Sequence, residues 1–270
     1  PAYARSMSPP FPVVTVDPWP FTTTPVEMVR DDLKLAIGTA SFWRGAHGGL
    51  TLITCWHNVT GTHPETGQSL SAHGGRPNRI RFYFPEQGLA GRRHTAEVGL
   101  YDDSGVPIWR VHPKHRQRVD VVAIPIGGAP PPQQYLNDLP EVQLRRLVGS
   151  DVFILGHPEG ISRQHMPVWK RGSLALDPNL LDDEHYLHTL VDSATRSGMS
   201  GSPVIQRQYG AILTDDSPHA SVHTGATRFF GVYSGRVSTK DDFGAHLGIV
   251  WPETHIRAVL EQGVRDDFFA

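Results

Sequence analysis

The chain has 270 residues, of which 39% are hydrophobic, and its formal net charge is −2. This length fits one large domain or two small ones, and the apolar content is sufficient for a buried core. The nearly neutral charge, with Arg and Lys scattered along the chain, argues against nucleic acid as a partner, because phosphate binding requires a basic field. No apolar run is long enough to span a bilayer, so no membrane partner is expected.

The chain contains a single cysteine, Cys55. An internal disulfide is therefore excluded, and the lone thiol favours a reducing compartment. No charged-then-apolar leader is present at Pro1. We expect a cytoplasmic protein, whereas a leader removed ahead of Pro1 would make it periplasmic or secreted.

The first half of the chain predicts an extended arm followed by a β-barrel. Residues 1–30 are rich in Pro, Ser and Thr and lack periodicity, which favours an extended N-terminal arm. The first barrel is predicted over residues 31–126. Its clearest strands are predicted, from apolar and β-branched content, at 34–43, 50–55, 79–84 and 119–126.

The second half predicts a further barrel and a closing helix. Residues 127–140 contain Gly-Gly-Ala-Pro-Pro-Pro, which cannot continue a sheet, and are predicted to be a linker. The second barrel is predicted over 141–252 and a C-terminal helix within 253–270, with Gly263 just past its end. The expected fold is all-β, with two packed six-stranded antiparallel barrels. Short strands of the second barrel are predicted at 151–156, 169–176, 186–192, 203–205, 229–234 and 248–250.

The segment 197–203, Ser-Gly-Met-Ser-Gly-Ser-Pro, carries the strongest chemical signal. A serine hydroxyl becomes a nucleophile only when a base removes its proton and donors stabilise the oxyanion. The flanking glycines allow a tight turn that presents the Ser200 hydroxyl and aims backbone N–H groups at one point. The amides of Gly198 and Ser200 are the predicted oxyanion-hole donors.

This loop resembles the nucleophile loop of trypsin-like serine peptidases, especially the bacterial HtrA-like and glutamyl-endopeptidase-like branches. The segment 52–59, Leu-Ile-Thr-Cys-Trp-His-Asn-Val, resembles the family's histidine motif, and 119–124, Val-Asp-Val-Val-Ala-Ile, its aspartate motif. The order His57, Asp120, Ser200 is that of chymotrypsin. The resemblance implies a chymotrypsin-like double barrel and a serine endopeptidase that acts on protein or peptide substrates without a cofactor or a metal.

The resemblance also implies a role for each residue. The His57 Nε2 atom would take the proton from Ser200, and Asp120 would hold the other ring nitrogen. Ala194, six residues before the nucleophile, would lie at the base of the primary specificity pocket, so a preference for Lys or Arg is not expected. The substrate-binding segment is predicted to comprise Tyr233, Ser234, Gly235 and Arg236.

Specificity and activation follow from the same comparison. Arg236 could bind the carboxylate of an acidic substrate side chain. Tyr233 stands where glutamyl endopeptidases tend to have a histidine, which weakens the case for an acidic substrate. A small apolar or acidic residue is therefore expected before the cleaved bond. Met199 stands where digestive members have an activating aspartate. The loop is therefore expected to be ordered already, or to be ordered by a substrate or a regulatory protein partner.

Other residues compete for the same roles. Ser202 is a rival nucleophile, but it lies beyond the glycine. Cys55 is a conceivable nucleophile, although a buried structural thiol is the preferred interpretation. Asp102, Asp103 and Asp138 are rivals of Asp120, but they lie in turn-like contexts where aspartate makes local hydrogen bonds.

Two further functions compete with an active peptidase. His112 and His115 could bind a metal in a metal-dependent hydrolase, but no Cys or His set has zinc-site spacing, so they are interpreted as loop residues. The other alternative is a catalytically silent trypsin-like fold that binds proteins. The presence of all three triad residue types argues against it.

Overall fold

The computed structural model of the chain describes residues 16–70, 75–85, 93–159, 166–182, 184–237 and 246–268. Residues 1–15 of the predicted arm lie outside this set.

The first sheet has eight antiparallel strands rather than the six predicted. The strands are β1 (Thr23–Arg30), β2 (Leu33–Arg44), β3 (Leu50–Thr54), β4 (Arg79–Pro85), β5 (Arg93–Gly99), β6 (Arg110–Val111), β7 (Val122–Ile126) and β14 (Val264–Arg265). They pair in the order β14-β6-β7-β3-β2-β1-β4-β5, so this sheet is an open half-barrel. Two of its strands, β1 and β14, come from segments outside the predicted limits of 31–126.

The second sheet is a closed antiparallel barrel of six strands. They are β8 (Asp151–Gly156), β9 (Val168–Leu174), β10 (Thr189–Asp192), β11 (Ser202–Ile212), β12 (Ser221–Arg236) and β13 (Leu247–Pro252). Their order around the barrel is β10-β13-β12-β11-β8-β9. The prediction of an all-β chain with two barrel-like sheets and a C-terminal helix is therefore confirmed.

The prediction of an extended arm is wrong for residues 19–30. A 3₁₀ helix covers Trp19–Thr22, and β1 pairs with β2 on one side and with β4 on the other. Val26 and Met28 of β1 are buried in the core of the first sheet. Pro25, which disfavours a central strand, conceals this alternation in the sequence.

The C-terminal helix is shorter than the predicted region. Helix α2 spans Glu253–Gln262 and ends at Gly263, whose backbone lies so close to Val259 that a Cβ there would meet its carbonyl oxygen at 2.1 Å. The chain then turns into β14, which pairs with β6. Two more 3₁₀ helices cover Leu136–Asp138 and Pro178–Leu180. Neither α2 nor the short α1 (Trp56–Thr60) of the described residues has the length and apolar character needed to cross a lipid bilayer.

The described residues form four clusters of buried side chains, and one of them lies between the two sheets. Successive side chains of β3 point to opposite faces of the sheet. Leu52 packs inside the first sheet, and Ile53 packs in the cluster between the two sheets. That middle cluster also contains Cys55, Val121 and, from the second barrel, Val232. The segments that carry Cys55 and Asp120 are therefore fixed against the second barrel, where Ser200 lies.

Candidate active site

The predicted base, His57, lies on a one-turn helix directly after β3. Helix α1 begins after Cys55 and ends at Gly61, which has a φ of 65°, a left-handed conformation that favours glycine. The His57 side chain is 16% exposed. The apolar strand and the short helix together present the imidazole just beyond the C-terminal end of β3, a central strand of the first sheet.

Asp120 accepts three hydrogen bonds although its side chain is only 1% exposed. Its Oδ1 atom accepts from the His57 backbone N–H at 2.9 Å, and its Oδ2 atom lies 2.6 Å from His57 Nδ1. The Ser234 hydroxyl donates to the same Oδ2 at 2.5 Å. These contacts fix the ring of His57 and leave its Nε2 atom available to a substrate or a nucleophile.

Ser200 lies on the turn between β10 and β11, which depends on two glycines. Gly198 and Gly201 have φ values of 91° and 90°. A Cβ on Gly198 would meet the His157 carbonyl oxygen at 2.6 Å, and one on Gly201 would meet the Thr39 carbonyl oxygen at 2.0 Å. The glycine pattern seen in the sequence is therefore required both by conformation and by space.

The first sheet holds this turn through Thr39 and Asn58. The Thr39 N–H donates to the Ser200 carbonyl at 2.8 Å, and its hydroxyl donates to the Gly198 carbonyl at 2.8 Å. The Asn58 amide donates to the Ser200 carbonyl at 3.1 Å and to the Thr54 hydroxyl at 2.9 Å. No local sequence signal marks either residue, because both act through contacts between distant segments.

A cleft of about 500 Å³ brings His57 and Ser200 to one surface. Its lining also includes Gly198 and the apolar side chains of Leu35 and Ile37. In the part of the chain that the structure describes, no hydrogen bond joins the Ser200 hydroxyl to His57. Such bonds often tighten only when substrate binds.

The backbone amides around Ser200 differ in whether they donate a hydrogen bond within the described residues. Among the described residues, the amides of Gly198 and Ser200 donate to no acceptor. Their neighbours do: the Met199 N–H donates to the Arg196 carbonyl at 3.3 Å, and the Gly201 N–H to the Tyr233 carbonyl at 2.8 Å. The use of the two remaining amides in catalysis stays a prediction.

The predicted substrate-binding residues have different environments. Ala194 is exposed, whereas its neighbours Ser193 and Thr195 are buried, and its place in a specificity pocket stays a prediction. Tyr233 is buried and its hydroxyl contacts that of Thr195. Ser234 contacts Asp120. Gly235 is partly buried at a bulge in β12, and Arg236 is exposed.

The rival nucleophiles are occupied or protonated. Ser202 is buried, and its hydroxyl donates to the Met199 carbonyl at 2.6 Å. The buried Cys55 thiol donates to the Tyr233 carbonyl at 3.5 Å. Burial, and next the nearby Asp120, raise the pKa of this thiol well above its ordinary value, so it is not a thiolate at neutral pH.

Cys55, His57 and Asp120 each offer a ligand atom within 4.8 Å of the other two. Both Asp120 oxygens already accept hydrogen bonds, and a metal would need the thiolate that burial disfavours. The group is therefore better explained as a histidine–aspartate pair beside a buried thiol than as a metal site.

His112 and His115 are buried rather than lying on an open loop. Their ring centroids are 4.8 Å apart, and His255 of α2 completes a cluster, with its Nδ1 atom 3.3 Å from His112 Nε2. No sequence pattern indicates this group, because His255 lies on a different element. The cluster packs between the first sheet and the C-terminal helix, apart from the cleft.

A brace from the end of the chain supports the helix of His57. The buried carboxylate of Asp266 accepts from the indole N–H of Trp56 at 2.7 Å and from that of Trp109 at 2.9 Å. Trp56 directly precedes His57, so Asp266, in the segment after α2, supports helix α1 through this hydrogen bond. No sequence motif marks this contact.

These features define a class of proteins: a half-barrel that carries a histidine–aspartate pair and a closed barrel that carries a serine on a glycine turn, on the two sides of a cleft. The family model of the trypsin-like peptidase domain matches residues 38–213, which is well over half of the chain. The chain belongs to the trypsin-like peptidase family. No curated protein matches the sequence.

Solved structures give similarities at low identity. The active form of the Rv3671c protease from M. tuberculosis is 14% identical, with 88% of this chain and 79% of that chain covered and a TM-score of 0.45. The HtrA-type protease AlgW with a tripeptide is 13% identical, with 89% of this chain and 60% of that chain covered and a TM-score of 0.46.

Proposed function

We propose that the chain is a serine endopeptidase that hydrolyses peptide bonds through an acyl-enzyme intermediate. Ser200 attacks the carbonyl carbon, His57 takes its proton and passes it to the leaving amine, and Asp120 stabilises the imidazolium. Water then attacks the acyl-enzyme by the same route and releases Ser200. The contact of 2.6 Å between His57 and the buried Asp120, on the cleft that Ser200 also lines, carries this proposal.

The oxyanion would be stabilised by the amides of Gly198 and Ser200. The loss of one such donor reduces turnover by about 10²–10³-fold in well-studied enzymes. Both amides need the turn that Gly198 and Gly201 allow. Thr39 and Asn58 hold this turn, so the first sheet would position the nucleophile as well as the base.

A fluorophosphonate probe tests the proposal, because it reacts with an activated serine and not with an ordinary hydroxyl. We expect labelling of Ser200 in the wild-type protein and its loss in Ser200→Ala and His57→Ala. Ser202→Ala is the matched control, since it removes the neighbouring buried hydroxyl and should leave the label on Ser200. Labelling that persists in Ser200→Ala would contradict the assignment.

A second function is a catalytically silent fold that binds proteins. The observation that favours it is the missing hydrogen bond between the Ser200 hydroxyl and His57 in the described part of the chain. Under this alternative the folded wild-type protein would neither react with the probe nor cleave peptides. It would instead bind a protein or peptide partner with equal affinity in wild-type and Ser200→Ala forms.

A further inference from the structure

The three-histidine cluster lies where two segments that support the candidate triad meet. His112 directly follows β6, and His115 belongs to the turns that lead from β6 to Asp120. His255 lies on α2, and the chain beyond α2 carries Asp266, which supports helix α1. The three histidines are 6–7% exposed. The cluster therefore joins the segment before the aspartate of the triad to the helix that precedes the brace.

The hydrogen bonds of His112 leave only one position for the proton of its neutral ring. Its Nδ1 atom accepts from the backbone N–H groups of Lys114 at 3.2 Å and of His115 at 3.1 Å, so this nitrogen carries no hydrogen. The proton is then on Nε2, which lies 3.3 Å from the Nδ1 atom of His255. His112 therefore donates to His255, whose Nδ1 atom carries no hydrogen either.

A second proton on either ring would break this arrangement. On His112 the new N–H would face two backbone N–H donors, and on His255 it would face the Nε2–H of His112. The ring of His115, whose centroid lies 4.8 Å from that of His112, leaves little room for water to solvate a charge. The folded cluster is therefore neutral, whereas histidines of an unfolded segment bind protons below about pH 6.5.

Other titratable and charged groups lie on the elements that pack around the cluster. They are Arg110 on β6, Lys114, Arg116 and Arg118 before Asp120, Glu184 on a neighbouring loop, Glu253, Arg257 and Glu261 on α2, Arg265, Asp266 and Asp267 beyond it, Arg228 on β12, and Glu141 beside Phe229. Several form ion pairs with one another: Lys114 with Glu184, Arg116 with Asp267, and Arg257 with Glu253. Burial, and next the charge of Glu253, raise the pKa of Glu141 to about 7. This carboxyl binds a proton on folding as the pH falls below about 7, so its effect on stability opposes that of the histidines.

We propose that His112 and His255 form an acid-sensitive lock between α2 and the segment that leads to Asp120. They are positioning residues, because their neutral hydrogen bond holds α2, and with it Asp266, against the first sheet. An open form with α2 detached takes up the protons that the closed form excludes, so its population rises as the pH falls below about 6.5. Opening removes the support of helix α1, so acid slows the enzyme by a route other than protonation of His57. Only this effect on catalysis rests on the proposed peptidase function.

The test compares the wild-type protein with His255→Asn by hydrogen exchange, read by mass spectrometry at pH 7.5 and 5.5. The protection of α2, which is its intrinsic exchange rate divided by the observed rate, reports the opening of the helix. The Asn amide oxygen can accept from His112 in place of Nδ1, but it binds no proton. The loss of protection on acidification should therefore be about tenfold smaller in the variant, the factor that one excluded histidine proton contributes between these pH values. Glu141 affects both proteins equally.

His47→Asn is the matched control, since His47 is exposed on the turn between β2 and β3 and its loss should leave the wild-type pH dependence unchanged. Strand β4 serves as an internal reference whose protection should not change. An equal loss of α2 protection in wild-type and His255→Asn proteins would overturn the lock. If His255→Asn does not fold, Glu141→Gln decides. This change removes the opposing titration, so α2 should lose about 100-fold of its protection, and constant protection would refute the proposal.

Fluorophosphonate labelling of the same proteins separates the lock from the peptidase function. If the wild-type protein is not labelled at pH 7.5, the peptidase function fails, while the exchange experiment still decides on the lock. Any protonation of His57 affects wild-type and His255→Asn proteins alike. The variant should therefore keep more of its pH 7.5 labelling rate at pH 5.5 than the wild-type protein does. Equal retention, beside a difference in exchange, would show that the lock does not act on the triad.

Discussion

The Asn58 side chain provides a sharp test of how the two sheets cooperate. Its amide is 3% exposed and joins the helix of His57 to the Ser200 carbonyl at 3.1 Å and to the Thr54 hydroxyl at 2.9 Å. Asn58→Leu keeps the branched shape and removes both hydrogen bonds. Each contributes about 0.5–1.5 kcal/mol net, so the free energy of unfolding should fall by roughly 1–3 kcal/mol.

The same change should slow the chemistry without abolishing it. The Ser200 carbonyl still accepts from the Thr39 N–H at 2.8 Å and the Gly198 carbonyl from the Thr39 hydroxyl at 2.8 Å, so the turn keeps two of the three hydrogen bonds that Thr39 and Asn58 make to it. If about 1.4 kcal/mol of the loss appears in the transition state, the rate falls tenfold. We expect Asn58→Leu to reduce the second-order rate of fluorophosphonate labelling by about this factor, measured beside urea unfolding.

Asn137→Leu is the matched control. The Asn137 side chain also makes two hydrogen bonds, accepting from the Arg44 N–H at 2.8 Å and donating to the Arg44 carbonyl at 3.0 Å. Asn137 lies in the 3₁₀ helix Leu136–Asp138 and contacts the last residue of β2, so its loss should not change the labelling rate. A wild-type labelling rate in Asn58→Leu would refute the reasoning, as would an equal decrease in Asn137→Leu.

Three further changes test other parts of the site. Asp120→Asn should lower the rate of peptide hydrolysis by about 10⁴-fold, as in the Ser-His-Asp triad of well-studied peptidases, because an amide is neutral and its NH₂ group must face one of the donors that the two Asp120 oxygens now accept from; a loss below tenfold would disprove this role. Gly201→Ala should lower the free energy of unfolding by at least about 3 kcal/mol, since its Cβ meets a backbone oxygen at 2.0 Å, whereas Gly210→Ala, with a similar φ of 83° and open space, should cost less. Native Cys55 should resist iodoacetamide at neutral pH and react after denaturation, as thiol counting by mass would show; rapid native alkylation would contradict the raised pKa.

Local sequence pattern was sufficient to predict several elements correctly. The strand 151–156 and the helix that begins at Glu253 lie where apolar runs and turn residues placed them. The segments that bring His57 and Asp120 together were also found, because each motif follows or opens an apolar strand. The all-β fold followed from the number of such strands.

The errors and omissions depend on contacts between distant segments. β1 was missed because Pro25 interrupts its pattern, although pairing on both sides stabilises the strand. No local signal marks Asn58 as a partner of the nucleophile turn, because that contact exists only after the two sheets pack.

The brace between Asp266 and Trp56 has a consequence for synthesis in the cell. A ribosome makes the chain from its N-terminus, so His57 and Ser200 leave the ribosome before Asp266 does. Until then the Asp266 carboxylate, which accepts a hydrogen bond from Trp56 in the helix of His57, is missing. In a nascent chain, helix α1 would therefore lack the hydrogen bond between Trp56 and Asp266 until the segment after α2 has been made.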